Sequence, residues 1–246
     1  MVWQRLSKVA LFLFGISCYL IALSSFAWLI AFCHPQIRLL LPSLHFDFSQ
    51  CAKVTFNILL ILLWGIIHSV MARDCFKDVI YRFIPKAAER SIYVLVASVT
   101  LILIMWLWQP IPVLVWQINN VFIQICVLLI FVFSVIFILF STYLTNHFDL
   151  FGVRQIWMSI KGIKYQQVPF TKEAMYRFIR HPMMLGLLLL VWASNQMCLD
   201  HLIFSFGISI YILIGTYFEE KGLEKELGKQ FQEYKKGTFK LVPFIY

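Results

Sequence analysis

Apolar residues run almost unbroken through six stretches of this chain, roughly 11–32, 54–70, 92–108, 121–143, 183–199 and 202–218, with polar residues gathered between them. A helix needs about 17–25 predominantly apolar residues to cross a bilayer core. All six stretches reach that length, the second, third, fifth and sixth only just. The pattern predicts an all-α, polytopic membrane bundle of five to six spans. Asn195 and Gln196 interrupt the fifth stretch, which leaves open a tight hairpin of the fifth and sixth in place of two full crossings.

The polar intervals carry their own periodicity. Leu150, Val153, Trp157, Ile160 and Ile163 recur at helical spacing, with Arg154, Lys161 and Lys164 interleaved. This predicts a helix lying in the membrane interface, ended by Pro169. Residues 171–180 read as a second short amphipathic piece. After the sixth stretch, 219–237 reads as a charged helix with Leu223, Leu227, Phe231 and Tyr234 on one stripe, which is expected to pack on 144–180. Together these interfacial helices would cover a pocket at one membrane face.

Composition agrees. The 246 residues are 61% hydrophobic and 13% charged, where a soluble domain averages about 25% charged. The charge is asymmetric, and that asymmetry sets orientation. With the N-terminus cytosolic, 19 of the 21 Lys and Arg residues fall in inside segments, leaving Arg38 and Lys53 outside. The reading is N-in, C-in, and the net charge of +9 is a topology signal that needs no nucleic-acid partner. The first stretch follows Arg5 and Lys8 but is too long for a signal-peptide core, and no small-x-small site follows it. It reads as a retained anchor. No Pro/Gly/Ser-rich linker or repeat divides the chain, so one domain over 1–246 is expected.

The outer loops add little chemistry. The uncharged loop 109–120 is flanked by Trp106, Trp108 and Trp116, which read as an interfacial aromatic belt. The six cysteines show no zinc or redox spacing. Cys33 and Cys51 both fall in the outer loop and could pair in an oxidising compartment.

Two runs carry candidate chemistry: Arg180-His181-Pro182-Met183-Met184-Leu185-Gly186 and Phe218-Glu219-Glu220. Pro182 suits the first turn of a helix, which puts Arg180 and His181 at its positive end. Glu219 and Glu220 come at the far end of an apolar run, where a helix dipole is negative. Each placement costs stability without an oppositely charged partner, and a ligand carrying a carboxylate, an amine and a fixed cation would answer both. Arg180 also has a plainer reading as one of six basic residues in its loop, and the glutamates as the start of a solvated tail. His68, His147 and His181 stand at cytosolic span ends, but no two have metal-ligand spacing, so no metal is expected. No phosphate-binding loop and no Gly-x-Ser-x-Gly elbow is present, and a doubly wound nucleotide-binding sheet has no room here.

The Arg-His-Pro-x-x-x-Gly run, Glu219-Glu220, Leu223, Leu227-Gly228, Phe231 and Tyr234 resemble the membrane methyltransferases typified by isoprenylcysteine carboxyl methyltransferase and phospholipid methyltransferases. His68-Ser69-Val70-Met71-Ala72-Arg73, Glu89 to Leu95 and Trp106 to Pro110 resemble the nurim-like branch. Asn146-His147-Phe148-Asp149-Leu150-Phe151-Gly152-Val153-Arg154-Gln155 is similar to bacterial methanethiol S-methyltransferases. The resemblance implies S-adenosylmethionine as cofactor and methyl transfer to a small thiol, methanethiol, in the bacterial inner membrane with the site on the cytosolic face. It places cofactor binding in about 144–240, on Tyr176, Arg180, His181, Pro182, Met184, Gly186, Glu219 and Glu220. Arg180, Glu219 and His147 would be catalytic, with His147 or a glutamate of the pair as acceptor of the thiol proton. The alternatives are another membrane-embedded acceptor, a prenylcysteine carboxylate or a lipid, and a nurim-like protein without turnover. Met184 stands where the family usually has Tyr, Leu187 where it has an aromatic, and Phe231 where Tyr is common.

Overall fold

The computed structural model describes residues 8–80 and 82–243; Arg5 lies outside them. Its helices are α1 (Lys8–Cys33), α2 (Pro35–Arg38), α3 (Gln50–Met71), α4 (Asp74–Ile80), α5 (Glu89–Trp106), α6 (Val121–Leu144), α7 (His147–Leu150), α8 (Val153–Lys161), α9 (Pro182–Trp192), α10 (Leu199–Leu227) and α11 (Lys229–Lys236). Five of them, α1, α3, α5, α6 and α10, are long and apolar enough to cross a membrane. The chain is a polytopic, all-α integral membrane protein. Side-chain caps set two starts: the Ser49 hydroxyl accepts from Ala52 N–H and the Asn120 side chain from Ile123 N–H, each satisfying an otherwise orphaned donor.

The fifth apolar stretch behaves differently from the others. Its helix α9 has 11 residues, which at 1.5 Å per residue is about 16 Å, roughly half a bilayer core. It packs antiparallel to α6, with Gly186 so close that a Cβ there would stand 2.6 Å from Ile138 Cγ1. Beyond Trp192 the chain is extended, and Ile118 N–H donates to Asn195 O just before α6 begins. A short strand, β2 (Gln196–Cys198), then pairs antiparallel with β1 (Leu114–Gln117). Non-helical backbone at membrane depth is tolerated only where protein satisfies it. Here Trp116 donates to Ser194 O, the Ser194 hydroxyl donates to Gln196 O, and the Ser205 hydroxyl donates to Val191 O.

The end of the bundle near β1 and β2 corrects two expectations. Trp108 is not a headgroup anchor: it is 1% exposed, and its ring meets Phe32 and Phe204 edge-on at 6.1 and 5.4 Å. Cys33 is buried and Cys51 exposed, and both are free thiols. Arg38, one of the two basic residues left on this side by the charge count, donates to Asp200 at 2.5 Å. Asp200 lies in the first turn of α10, where a carboxylate also answers the helix dipole.

The opposite end gathers α7, α8, α11 and the starts of α1 and α5. Gly152, at φ +85°, sits so close to α5 that a Cβ would stand 2.6 Å from Ser91 N. Arg90 donates to Leu150 O at 2.8 Å. The interfacial helix stops at Lys161, well before Pro169, because left-handed Gly162 terminates it. Its buried contact is Ile156 against Gly15 of α1, whereas Trp157 is exposed under the Lys161 ammonium. The predicted stripe is thus turned by one residue. The tail stripe packs as its spacing predicts, with Phe231 and Tyr234 against the Phe170 ring.

Candidate active site

The two charged runs meet each other. Helix α10 does not end at Glu219: the run Glu219 to Leu227 contains no Pro, and the helix continues to a break at Gly228, φ +54°. The glutamates are therefore interior to the helix, not at its negative end. Successive helical residues point about 100° apart, so Glu219 and Glu220 face different surroundings. Glu220 turns inward, its side chain 7% exposed, and accepts from Arg180 Nε at 2.7 Å. Its Oε1 lies 3.2 Å from His181 Nε2, and its Oε2 lies 3.6 Å from Lys235 Nζ. Arg180 is held at both faces, because Nη1 donates to the carbonyls of Lys235 and Thr238. The charge at the start of α9 is thus answered from α10 by the protein itself.

Backbone pairing fixes the same residues. Residues 178–181 run parallel to 238–241: Phe239 N–H donates to Phe178 O, Arg180 N–H to Phe239 O and His181 N–H to Lys240 O. Leu241 is 1% exposed and anchors this segment in the core. Arg180 and His181 precede Pro182, which disfavours helix for the residue before it, so their backbone is non-helical and available for pairing.

Beside this ion cluster lies a hollow of about 290 Å³. Tyr176, Arg180, His181, Met183, Met184 and Glu219 line it, with Thr145, Leu150, Leu223 and the 168–171, Phe231 and Tyr234 surfaces completing the wall. Glu219, its side chain 52% exposed, lies 3.5 Å from His181 Nδ1. Arg180 uses Nε and Nη1 in the bonds above, leaving Nη2 outside that set. The lining of the hollow therefore combines one exposed carboxylate, the Arg180 side chain and an aromatic and thioether wall. That donor set suits a ligand with an amine, a carboxylate and a flat apolar part.

Burial lifts the Tyr176 and Tyr234 hydroxyls to about 12, so both stay protonated donors through the neutral range. Tyr234 donates to Tyr176 O at 2.5 Å. A phenol whose acidity is suppressed by folding contributes stability that is present below about pH 10 and lost as pH rises towards 12. The thermal midpoint of the protein is accordingly expected to fall from pH 10 upward, and to fall less steeply in Tyr234→Phe. Equal alkaline slopes in the two proteins would refute this.

The predicted residues divide by position. Tyr176, Arg180, His181, Met184 and Glu219 line the hollow; Glu220 stands behind it as the partner of Arg180. Pro182 is buried as the first residue of α9, and Gly186 serves the close packing of α9 on α6. His147 is not brought to the hollow. It is 4% exposed, with Tyr19 OH 2.8 Å from Nε2, Thr142 Oγ1 2.8 Å from Nδ1 and the Tyr143 ring stacked 4.6 Å away. Burial lowers its affinity for a proton. His68, His147 and His181 occupy three separate settings, and no group of three or more His, Cys, Asp or Glu among the described residues could hold a metal ion. Sequence reasoning missed Phe170 and the 238–241 segment, whose only signal was an apolar Leu-Val pair after a basic tail.

The NnrU protein family matches residues 57–244 of the chain. The chain is 35% identical to a methanethiol S-methyltransferase of Mycobacterium tuberculosis, over 94% of this chain and 95% of that one. It is 36% identical to a methanethiol S-methyltransferase of Crocosphaera subtropica, over 98% and 94%. Human nurim is 27% identical over 72% of this chain and 70% of its own length. No solved structure matches.

Proposed function

We propose, because the chain belongs to the NnrU protein family and is similar over nearly its whole length to methanethiol S-methyltransferases, that it methylates methanethiol to dimethyl sulfide. The methyl donor is S-adenosylmethionine, which when bound supplies a methyl group already activated on a sulfonium. The protein's share of the work is position and exclusion of water.

Glu219 holds the amine and Arg180 the carboxylate of the donor. Glu220 and the carbonyls of Lys235 and Thr238 keep the Arg180 guanidinium from turning away. His181, between the two glutamates, fixes the spacing of the acidic pair. Tyr176, Met184, Phe231 and Tyr234 give an apolar wall, with Met184 contributing a soft thioether surface. The site faces the cytosol of a bacterial inner membrane, on the side where the Lys and Arg residues concentrate, and a small apolar thiol reaches it from the lipid. The observation that carries this reading is the hollow that brings one exposed carboxylate and one anchored guanidinium to a single apolar wall.

The test is headspace dimethyl sulfide from detergent-solubilised protein given S-adenosylmethionine and methanethiol. Product that requires both reagents supports the reading. Donor binding without product would point to a lipid or prenylcysteine acceptor instead, and failure to bind the donor would favour a nurim-like role without turnover.

A further inference from the structure

His68 has no part in the site described so far, yet its surroundings are built. It lies near the end of α3, inside a cage of rings from three helices. The Trp64 ring stacks on it at 5.2 Å and 25°, the Tyr93 ring of α5 lies at 5.0 Å, and the Tyr211 ring of α10 lies edge-on at 5.8 Å. Tyr93 OH is 2.7 Å from His68 Nε2. The other ring nitrogen, Nδ1, is buried and has no hydrogen-bond partner. Buried polar atoms are nearly always paired, and an orphan asks for a reason. Structural histidines satisfy both nitrogens, as His147 does here.

The cage also lies in a telling place. Tyr211 is two helical turns before Glu219 on α10. The cage therefore sits deeper in the bundle than Glu219, at the depth a thiol arriving from lipid crosses first. Its chemistry suits such a guest. Aromatic rings make favourable contacts with sulfur, and with Nε2–H donating to Tyr93 the bare Nδ1 lone pair is the acceptor for an S–H group.

Resting on the thiol reading above and deepening it, we propose that His68 is the base that deprotonates the acceptor thiol, with Tyr93 as its positioning residue. The S–H bond breaks, its proton passes to Nδ1, and the electron pair stays on sulfur, giving the thiolate that reacts. Tyr93, receiving the Nε2 proton in its hydrogen bond, fixes the ring orientation and the tautomer. The proton goes to solvent after the product leaves. Among the described residues, the titratable groups around His68 are Tyr93 of α5, Tyr211 of α10 and, across the Tyr93 ring, Arg90, whose guanidinium lies 5.2 Å from that ring.

The experiment compares wild type, His68→Gln and Tyr93→Phe as full-length proteins in detergent. Without any methyl donor, methanethiol is expected to shift the imidazole nitrogen signals of His68 in the wild type. In turnover, His68→Gln is expected to lose about 100-fold or more in kcat, the range for a general base, with donor affinity within threefold of wild type. Its residual rate should climb tenfold per pH unit, as hydroxide replaces the lost base, where the wild-type profile levels off. Tyr93→Phe should lose about tenfold and keep the wild-type pH profile shape. A His68→Gln enzyme with near-normal kcat, or one that loses donor affinity and activity together under an unchanged pH profile, would overturn the proposal. So would imidazole signals indifferent to the thiol. A wild type inert towards methanethiol would overturn the thiol reading itself, and His68 as its base with it.

Discussion

Arg180→Ala is expected to abolish dimethyl sulfide formation and to unfold well below the wild-type temperature even without ligand. The reason is what it leaves behind. Glu220 is 7% exposed in its side chain, and removing the guanidinium strands a buried carboxylate beside the His181 ring and the Lys235 ammonium, which is 40% exposed at 3.6 Å. Breaking one side of a buried ion pair costs about 3–5 kcal/mol. The same change frees the carbonyls of Lys235 and Thr238, so the 238–241 segment holds the start of α9 through its backbone pairing without the side-chain clamp. Arg180→Lys keeps the charge without the planar fork and should recover only part of either property. A double variant, Arg180→Met with Glu220→Leu, removes both charges and should regain most of the stability while staying inactive. Melting curves and headspace assays on the three proteins decide this. A wild-type melting temperature in Arg180→Ala would show that the ion pair does not hold this end of the bundle.

Glu219→Gln is expected to do the opposite, weakening S-adenosylmethionine binding by about 10–100-fold with stability unchanged within about 0.5 kcal/mol. A hydrogen bond to a charged group contributes about 1.5–3 kcal/mol, and each 1.4 kcal/mol is tenfold in affinity. Glu219 is half-exposed, and its ionic neighbour among the described residues is His181 Nδ1 at 3.5 Å, so surface-like tolerance applies to its removal. Glu220→Gln should follow Arg180→Ala instead. Titration calorimetry with the donor, beside melting curves for both glutamine variants, separates the neighbours. Equal losses of affinity and stability in the two would mean that adjacent carboxylates share one role.

What could be read in the sequence follows from how far each signal reaches along the chain. Five crossings were visible because each apolar run is self-sufficient: a helix satisfies its own backbone wherever it lies. The fifth run could be read only as far as its interruption at Asn195 and Gln196, since the extended piece with Ser194 and Asn195 is acceptable only beside β1, some 80 residues earlier. The charges at Arg180 and Glu220 looked misplaced for the same reason. Each seemed to need a partner from outside, and the partner was 40 residues away in the same chain. Arg38 and Asp200 repeat the lesson at the other end, 162 residues apart. Periodicity found the stripe of Phe231 and Tyr234 and predicted where it packs, but the face of α8 was off by one residue because Ile156 answers Gly15, a neighbour no local pattern contains. Trp108 was placed at the headgroups on residue type alone, whereas Phe32 and Phe204 draw it into the core.

The parallel pairing of 178–181 with 238–241 also dictates an order of events during biosynthesis. A ribosome delivers α9 to the membrane long before it delivers Phe239 and Lys240, so the nascent chain must insert all of its spans with the Arg180 loop still unclasped. Until that segment emerges, the loop's amide groups have only water, and Arg180 has only Glu220 to hold it. Membrane insertion and the clasping of the Arg180 loop are therefore separate stages. A chain cut after residue 237 would keep every span and lose the segment that clasps the Arg180 loop.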